Sequence, residues 1–547
     1  MIKTMVTSAF AALCTMAGAA HAESVHAAWA QVMGSDGPIT KAHGEMPLNL
    51  SLRFITDQQS CPSYKIRAQK ADGSQQTLSP AWIMRSNRPA SQFDEVTVCQ
   101  TNMDEDWVAA ALLDNAGQPV TSPDGTAVTL AGASRATGAA PRVVVFGDTG
   151  CRGLILNSGS GSRFKQDCAK IGTIKQLKPE TRFFFAEIAA LAMQKNPDIA
   201  IHLGDYRYDQ ESIRDWDNWN SDFFSRTANG PLLQVPWAFV RGNHETCDRA
   251  GHGWYFFFGP NDSSITCSGM DRRLVTSWYF EMRDTSLAPT APHRFVIVGT
   301  GPSVSRKTLP DTLDCTAITK KTGFLSDQEL WEQAICEFKT ALGWTQDKTT
   351  KGLPIHTTFV MHRPIWGLDT SGFHPKQVDR HVGEALAAAL AQGAAPECQG
   401  YNDTGKVGAC GLRSVLAAHE HMFTNVVFRD NALPQQIVVG NSGVKLDGPP
   451  GQYFNPSTGL SFRPCKVPDM DSRGLHHRRH DGYAMEYRGR MPKTLGEDAF
   501  GFLLLTRNHL ATSGWDGTAF YQDGQSQSLS TAKDIASFGK LDDCHRP

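Results

Sequence analysis

Several absences narrow the reading of this sequence before any motif does. There is no excess charge of one sign: 53 Lys and Arg stand against 55 Asp and Glu, a formal net charge of −2. A near-neutral balance offers no electrostatic case for nucleic-acid binding. There is no C-x-x-C pair among the 13 cysteines, which argues against a zinc ribbon. Past the N-terminal segment no stretch holds 18 consecutive apolar residues, so no membrane span is expected in the mature chain. No internal repeat or low-complexity tract stands out. With 40% hydrophobic residues in 547, disorder is excluded as the main state, and the length suggests more than one domain.

The N-terminus is where the apolar residues do concentrate. Lys3 precedes a mostly apolar run, Met5 to Ala17, and Ala20-His21-Ala22 matches a small-x-small cleavage site. Residues 1–22 read as a secretory signal peptide, which implies export to the periplasm or the outside of the cell. Cys14 lies inside that segment, so its removal leaves twelve cysteines, an even number suited to pairing in an oxidising compartment. Taken in sequence-adjacent couples they give Cys61/Cys99, Cys151/Cys168, Cys247/Cys267, Cys315/Cys336, Cys398/Cys410 and Cys465/Cys544. Spacing alone does not dictate these pairings.

Residues 23–130 show short alternating segments such as Leu48–Phe54, Tyr64–Ala68 and Glu95–Val98. Turn signals such as Asp72-Gly73 and Pro123-Asp124-Gly125 separate them, the pattern of a small β-sandwich domain. Residues 131–140, AGASRATGAA, have linker composition. From 141 to 547 the texture is α/β. Buried-looking strands at Arg142–Phe146, Asp198–Leu203, Pro236–Val240, Phe295–Val298, Thr357–Met361 and Gln436–Val439 end in polar residues. Helical stretches such as Thr181–Lys195 and Asp327–Leu342 lie between them. Sheets of this kind place their sites at strand carboxyl ends.

Five segments, most of them at such ends, carry Asp148, Asp205 with Tyr208, Asn243 with His244, His362, and His419 with His421. These are the residue types of a two-metal hydrolase. A carboxylate can bridge two ions, imidazoles and oxygens fill the remaining positions, and a histidine that binds no metal can donate a proton to a leaving group. Each piece alone is weak, and Tyr208 could simply be an aromatic packed near the site. The ordered set is specific.

The set resembles the calcineurin-like metallophosphoesterase superfamily, and within it the purple acid phosphatases, whose blocks read GDxG, GDxxY, GNH[DE], VxxH and GHxH. Here they stand as Gly147–Gly150, Gly204–Tyr208, Gly242–Glu245, Phe359–His362 and Ala418–His421, with Phe359 in place of Val and Ala418 in place of Gly. Most metallophosphoesterases carry a metal-binding His two residues after the first Asp. Gly150 stands there instead, and Tyr208 would restore the ligand count. The fold this implies is a two-sheet metallophosphoesterase sandwich flanked by helices, following the small β-sandwich.

The resemblance implies that Asp148, Asp205, Tyr208 and His421 hold Fe(III). Asn243, His362 and His419 would hold Fe(II), Zn or Mn, with Asp205 bridging. A metal-activated hydroxide would attack phosphorus, and His244 would protonate the leaving alcohol or stabilise the transition state. Arg152 and Arg363 either clamp a phosphate oxygen or make ordinary ion pairs. Glu245 and Glu420 are read as acceptors orienting ligand imidazoles. The run His476–His480 is read as a solvated loop, with a basic substrate loop as the alternative. The expected substrate is a small phosphomonoester. The rivals are phosphodiester or nucleotide hydrolysis by the same site, and a non-catalytic phosphate-binding surface protein. No nucleic-acid partner is expected.

Overall fold

The strands that end at the motifs are short apolar runs with few exposed positions. In the computed structural model β-branched residues dominate Arg142–Phe146, and all of it but Arg142 is buried. The described residues are 25–34, 49–70, 72–85, 93–103, 107–132, 140–151, 183–208, 216–227, 230–259, 267, 274–282, 292–301, 313–321, 325–346, 355–365, 368–369, 376–377, 380–392, 411–428, 434–444, 454–455, 460–470, 476–488, 500–508, 511, 513–522 and 526–528. The expected signal segment, most of the linker, Arg152, Cys168, Cys398, Cys410 and Cys544 lie outside them.

The first strands are β1 (Val25–Met33), β2 (Asn49–Thr56), β3 (Lys65–Lys70), β4 (Gln75–Leu78), β5 (Ile83–Met84), β6 (Thr97–Met103), β7 (Trp107–Leu113) and β8 (Thr129–Ala131). The middle supplies β9 (Arg142–Phe146), β10 (Ile199–His202), β11 (Trp237–Phe239), β12 (Trp278–Met282), β13 (His293–Ile297), β14 (His356–Val360), the short ribbon β15 (Leu368–Asp369) and β16 (Lys376–Gln377), and β17 (Leu412–Ala417). The remainder adds β18 (Phe423–Phe428), β19 (Gln435–Val439), β20 (Phe454–Asn455), β21 (Leu460–Met470), β22 (His476–Arg488), β23 (Gly501–Arg507), β24 (Trp515–Tyr521) and β25 (Ser526–Ser528). The longer helices are α1 (Phe185–Met193), α2 (Gly251–Phe257), α3 (Asp327–Thr345) and α4 (Arg380–Ala391). The run His476–His480, read as a loop, lies on β22 and is paired there with β21.

Two large sheets face each other. One runs β25-β24-β23-β9-β10-β11-β1-β2-β6-β5, the other β12-β13-β14-β17-β19-β18-β22-β21-β20. The side-chain alternation of β9 shows the layering. Val143 and Val145 enter the core between the sheets with Ile201, Val360, Leu416 and Val439. Val144 and Phe146 point the other way, into a core shared with Phe185 and Ile188 of α1 and with Trp254 and Phe257 of α2. On the outer face of the second sheet Phe359, Val415 and Val438 pack against Trp331, Ile335 and Phe338 of α3 and Ala385 and Ala389 of α4. The order is helix, sheet, sheet, helix, as expected. A Ser326–Glu329 capping box starts α3.

The N-terminal strands do form two layers, β1-β2-β6-β5 and β4-β3-β7-β8, with a Cys61–Cys99 disulfide among them. The first layer is not a separate sheet, however. Gln31 of β1 pairs in parallel with Trp237 of β11, so this layer continues the sheet that carries the motifs. The sequence could not signal this. A change of texture near residue 130 marks where the chain crosses over, and backbone pairing across that change is a tertiary fact. Disulfides also join Cys247 to Cys267 and Cys315 to Cys336, and Cys151 is disulfide-bonded.

Candidate metal centre

The site sits where β9, β10 and β11 of one sheet and β14 and β17 of the other end side by side. Asp148 follows β9, Asp205 and Tyr208 follow β10, Asn243 and His244 follow β11, His362 follows β14, and His419 and His421 follow β17. All eight come together. Asn243 Oδ1 lies 2.8 Å from His362 Nε2 and 2.7 Å from His419 Nδ1. Asp205 Oδ1 is 3.4 Å from His362 Nε2. Beside this group the Tyr208 hydroxyl donates to Asp148 Oδ1 at 2.6 Å, and His421 Nε2 is 3.9 Å from the same oxygen.

The backbone is bent to make this convergence. Asp148, Asp205 and His419 have φ of 54°, 59° and 73°, the left-handed region that non-glycine residues seldom adopt. Such strain persists where surrounding bonds over-determine it, and it gathers at functional sites. Here the bonds are explicit. Asp148 Oδ2 accepts from the His419 N–H at 2.7 Å, and Asp205 Oδ1 accepts from the His244 N–H at 2.9 Å. The Thr149 and Gly150 N–H groups both donate to Asp205 O at 3.1 Å.

Gly150 has no room for a side chain. A Cβ there would lie 2.6 Å from the Tyr206 carbonyl carbon and oxygen and 2.7 Å from the Arg207 nitrogen. A histidine cannot stand at this position without moving the loop that carries Asp205, so a further donor next to Asp148 has to come from elsewhere. The Tyr208 hydroxyl occupies that place.

Glu245 does something other than orient an imidazole. Its Oε2 accepts from the backbone N–H of Asp205 at 2.9 Å and of Gly242 at 3.0 Å, and its Oε1 from Tyr206 at 2.9 Å and Arg207 at 3.3 Å. One fully buried carboxylate thus staples the loop after β10 to the loop after β11. A Cβ on Gly242 would run into Asp205 Oδ1, which is why the second loop can come this close. Arg207 makes a buried ion pair with Asp222 at 3.2 Å, holding the far side of the first loop.

Electrostatics follow from burial and crowding. Burial alone would raise the Asp205 carboxyl, but His362 and His244 beside it hold it well below the usual carboxylate range. Burial, and then the charge of Asp205, push the Glu245 carboxyl upward, against the backbone N–H groups of Asp205, Tyr206 and Gly242, which favour its ionised form. Burial and then Asp148 push the Tyr208 hydroxyl well above 10 in the absence of a cation. Burial lowers His244 to about 3, against the pull of Asp205.

The calcineurin-like phosphoesterase family profile matches residues 141–422. The chain belongs to the calcineurin-like phosphoesterase family. No curated protein matches it. A solved structure of PhoD is similar, with a TM-score of 0.42 and 10% identity over 94% of each chain.

As a calcineurin-like phosphoesterase the protein is a metal-dependent phosphoester hydrolase with a dinuclear centre. The donor set fits. His362 Nδ1 is 2.9 Å from Leu203 O, which fixes its proton on that nitrogen and leaves the Nε2 lone pair facing Asn243 and Asp205. Asp205, His362 and His419 each offer an atom within 4.8 Å of the others. Nitrogen and oxygen donors of this kind suit borderline to hard cations.

Of the two arginines, Arg363 is at the site. Its Nη1 is 3.2 Å from His419 Nε2, and its Nε donates to Gly301 O at 2.9 Å. Arg152 lies outside the described residues. His244 packs its ring 4.3 Å from that of Tyr208, and its Nδ1 has no hydrogen-bond partner among the described residues. Arg241, which the motif reading passed over, donates from Nε to Glu245 O at 2.6 Å and from Nη1 to the Tyr255 hydroxyl at 2.8 Å. Its place directly before the Gly-Asn-His-Glu string was the available signal. Among the described residues no helix is long and apolar enough to cross a membrane.

Proposed function

We propose that this phosphoesterase is an exported enzyme that hydrolyses small phosphomonoesters at a purple acid phosphatase-like centre. The observation that carries the reading is the pairing of Gly150 with Tyr208. The first position excludes a side chain, and the second delivers a hydroxyl 2.6 Å from Asp148. Asp148, Asp205, Tyr208 and His421 would hold Fe(III), a hard cation suited to a phenolate. Asn243, His362 and His419 would hold Fe(II), Zn or Mn, and Asp205 would be shared by the two groups. Bound ions supply an activated water and neutralise charge on the phosphoryl oxygens.

The protein's own residues supply the rest. Asp148 and Asp205, in left-handed conformations, are held ready by the N–H groups of His419 and His244. Arg363, fixed at Nε by Gly301, keeps a guanidinium at the rim where a phosphate oxygen would lie. His244, neutral above about pH 3 without a ligand, can give an N–H to the leaving oxygen, and an adjacent phosphate dianion would raise its proton affinity. The disulfides Cys61–Cys99, Cys247–Cys267 and Cys315–Cys336 favour export.

The test is metal analysis and visible spectroscopy of the purified mature chain, with turnover on monoester and diester panels. An absorption band from phenolate bound to iron is expected, and Tyr208→Phe should abolish it. Absence of iron, or an unchanged band in that variant, rejects the Fe(III)–Tyr208 assignment. Faster turnover of diesters or nucleotides replaces the monoester reading.

A further inference from the structure

The carbonyls at the end of α2 are held by side chains from the N-terminal part of the chain, while its rings also pack on Phe224 and Phe239. A helix leaves its last carbonyls without partners in the helix. Here five consecutive carbonyls, from Tyr255 to Gly259, accept from three side chains that come from β1, β2 and the residue after β5. Arg85 donates from Nη2 to Tyr255 O at 2.7 Å and from Nε to Phe256 O at 2.8 Å. Arg53 donates from Nη1 to Phe257 O at 2.7 Å and from Nη2 to Gly259 O at 3.0 Å. Gln31 donates from Nε2 to Phe258 O at 2.7 Å. Trp29 and Phe93 pack edge-on against Phe258 and Phe257.

Burying two guanidiniums side by side is unfavourable in itself. Burial and then the charge of Arg85 lower Arg53 well below the ordinary arginine value. A planar fork that bridges two carbonyls is the geometry that offsets this cost.

The other end of α2 leads straight to the metal centre. The Ala250 N–H donates to His244 O at 3.0 Å, and the Gly251 N–H to Thr246 O at 2.9 Å. Within the helix, Tyr255 offers its carbonyl to Arg85 and its hydroxyl to Arg241, which in turn holds Glu245 O. A continuous set of hydrogen bonds therefore runs from the N-terminal sandwich to the loop bearing Asn243 and His244.

We propose that Arg53 and Arg85 are positioning residues for that loop, and that the N-terminal sandwich serves the reaction by fixing α2. The proposal rests on the reading of Asn243 and His244 as site residues. Loss of the clamp lets α2 slide, which displaces Asn243 from His362 and His419 and moves His244 from the leaving group. A displacement of about 1 Å at such a site costs on the order of tenfold or more in turnover.

The experiment compares R53M, R85M, R53K and R85K with Leu342→Ala, a core truncation on α3 chosen for a similar loss of melting temperature. Each is assayed on p-nitrophenyl phosphate below its melting temperature, with metal content per chain measured. The methionine variants are expected to lose about tenfold or more in kcat with a smaller change in KM, and to retain less metal at limiting supply. The lysine variants keep a cation but cannot bridge two carbonyls, and should lose about threefold or more. L342A should keep kcat within about twofold. Unchanged kcat and metal content in the folded arginine variants, or an equal loss in L342A, overturns the proposal. If R53M or R85M does not fold, full turnover in both lysine variants overturns it. Failure of the site reading is seen separately, as full activity in both N243A and H244A.

Discussion

Two buried histidines lie at opposite ends of the parallel strand pair β13 and β14, and they differ in what their ring nitrogens face. At the carboxyl end His362 turns Nδ1 to Leu203 O and points Nε2 at the oxygens of Asn243 and Asp205. At the other end His293, the first residue of β13, is enclosed. Its Nε2 is 2.7 Å from Thr358 Oγ1 and 2.8 Å from Trp515 Nε1, and its Nδ1 is 3.1 Å from Arg507 Nη1. Both rings are fully buried. Oxygen acceptors and left-handed backbone converge around the first, whereas a hydroxyl, an indole N–H and a guanidinium enclose the second. Burial and hydrogen bonding therefore do not make a metal ligand. A lone pair aimed at other acceptor atoms is what could suit a ring to a cation.

Substitutions at the two ends should behave as opposites. Asp205→Asn, at the carboxyl end, is expected to lower turnover by about 10³-fold or more and to release bound metal, with little change in melting temperature. Steady-state rates and metal content of the purified variant measure this, and near-normal turnover would break the distinction at its strongest point. Glu245→Gln places an NH2 against two of the four backbone donors. It should cost about 10- to 100-fold in kcat and weaken metal retention at equal protein fold, as read by turnover, metal analysis and circular dichroism. His293→Ala should do the reverse, leaving kcat within about twofold while lowering stability by about 1–3 kcal/mol in denaturant unfolding.

The smallest effect concerns pH and sits away from both histidines. Glu337 on α3 is buried, accepts from the Ser277 N–H at 2.6 Å, and is pushed up to about 7 by that burial. Its folded pKa exceeds the unfolded value, so its ionisation lowers stability as pH rises from about 4.5 to 7, and the loss is complete above that. Glu337→Gln should therefore raise the melting temperature more at pH 8 than at pH 5, an effect of about 1–3 kcal/mol at most. Equal shifts at both pH values would show that the carboxyl is ionised throughout.

Much of the site was legible because its residues are locked to strand ends. Arg142–Phe146 is a strand over the residues expected from its apolar run, and the other five expected strands begin and end within two residues of expectation, whereas β17, which leads to His419 and His421, had no strand assigned to it from the sequence. A β-branched run that stops at Gly-Asp or Gly-Asn-His marks both the strand and the place where its chain turns. Glu245 was legible as a participant but not in its role. A carboxylate beside a site histidine suggests an imidazole partner, whereas the fold turns it onto four backbone N–H groups from two loops. Arg53 and Arg85 were not legible at all, since an arginine in an amphipathic strand reads as a solvated residue.

The order of residues along the chain already sets which atoms are available for chemistry: the carboxylates, imidazoles and the phenol, most of them at strand ends and in the order of a two-metal phosphoesterase. It also determined that position 150 carries no ligand. Packing of the sheets sets which of the 18 histidines face one another's lone pairs, that Gly150 excludes any side chain, and that the N-terminal layer continues the sheet that carries the motifs. The physical reason is range. Strand formation and turn chemistry are set by neighbours in sequence. The direction of a ring nitrogen, the room beside a glycine and the partner of a buried guanidinium are set by residues that can lie more than two hundred positions away and meet only when the sheets close.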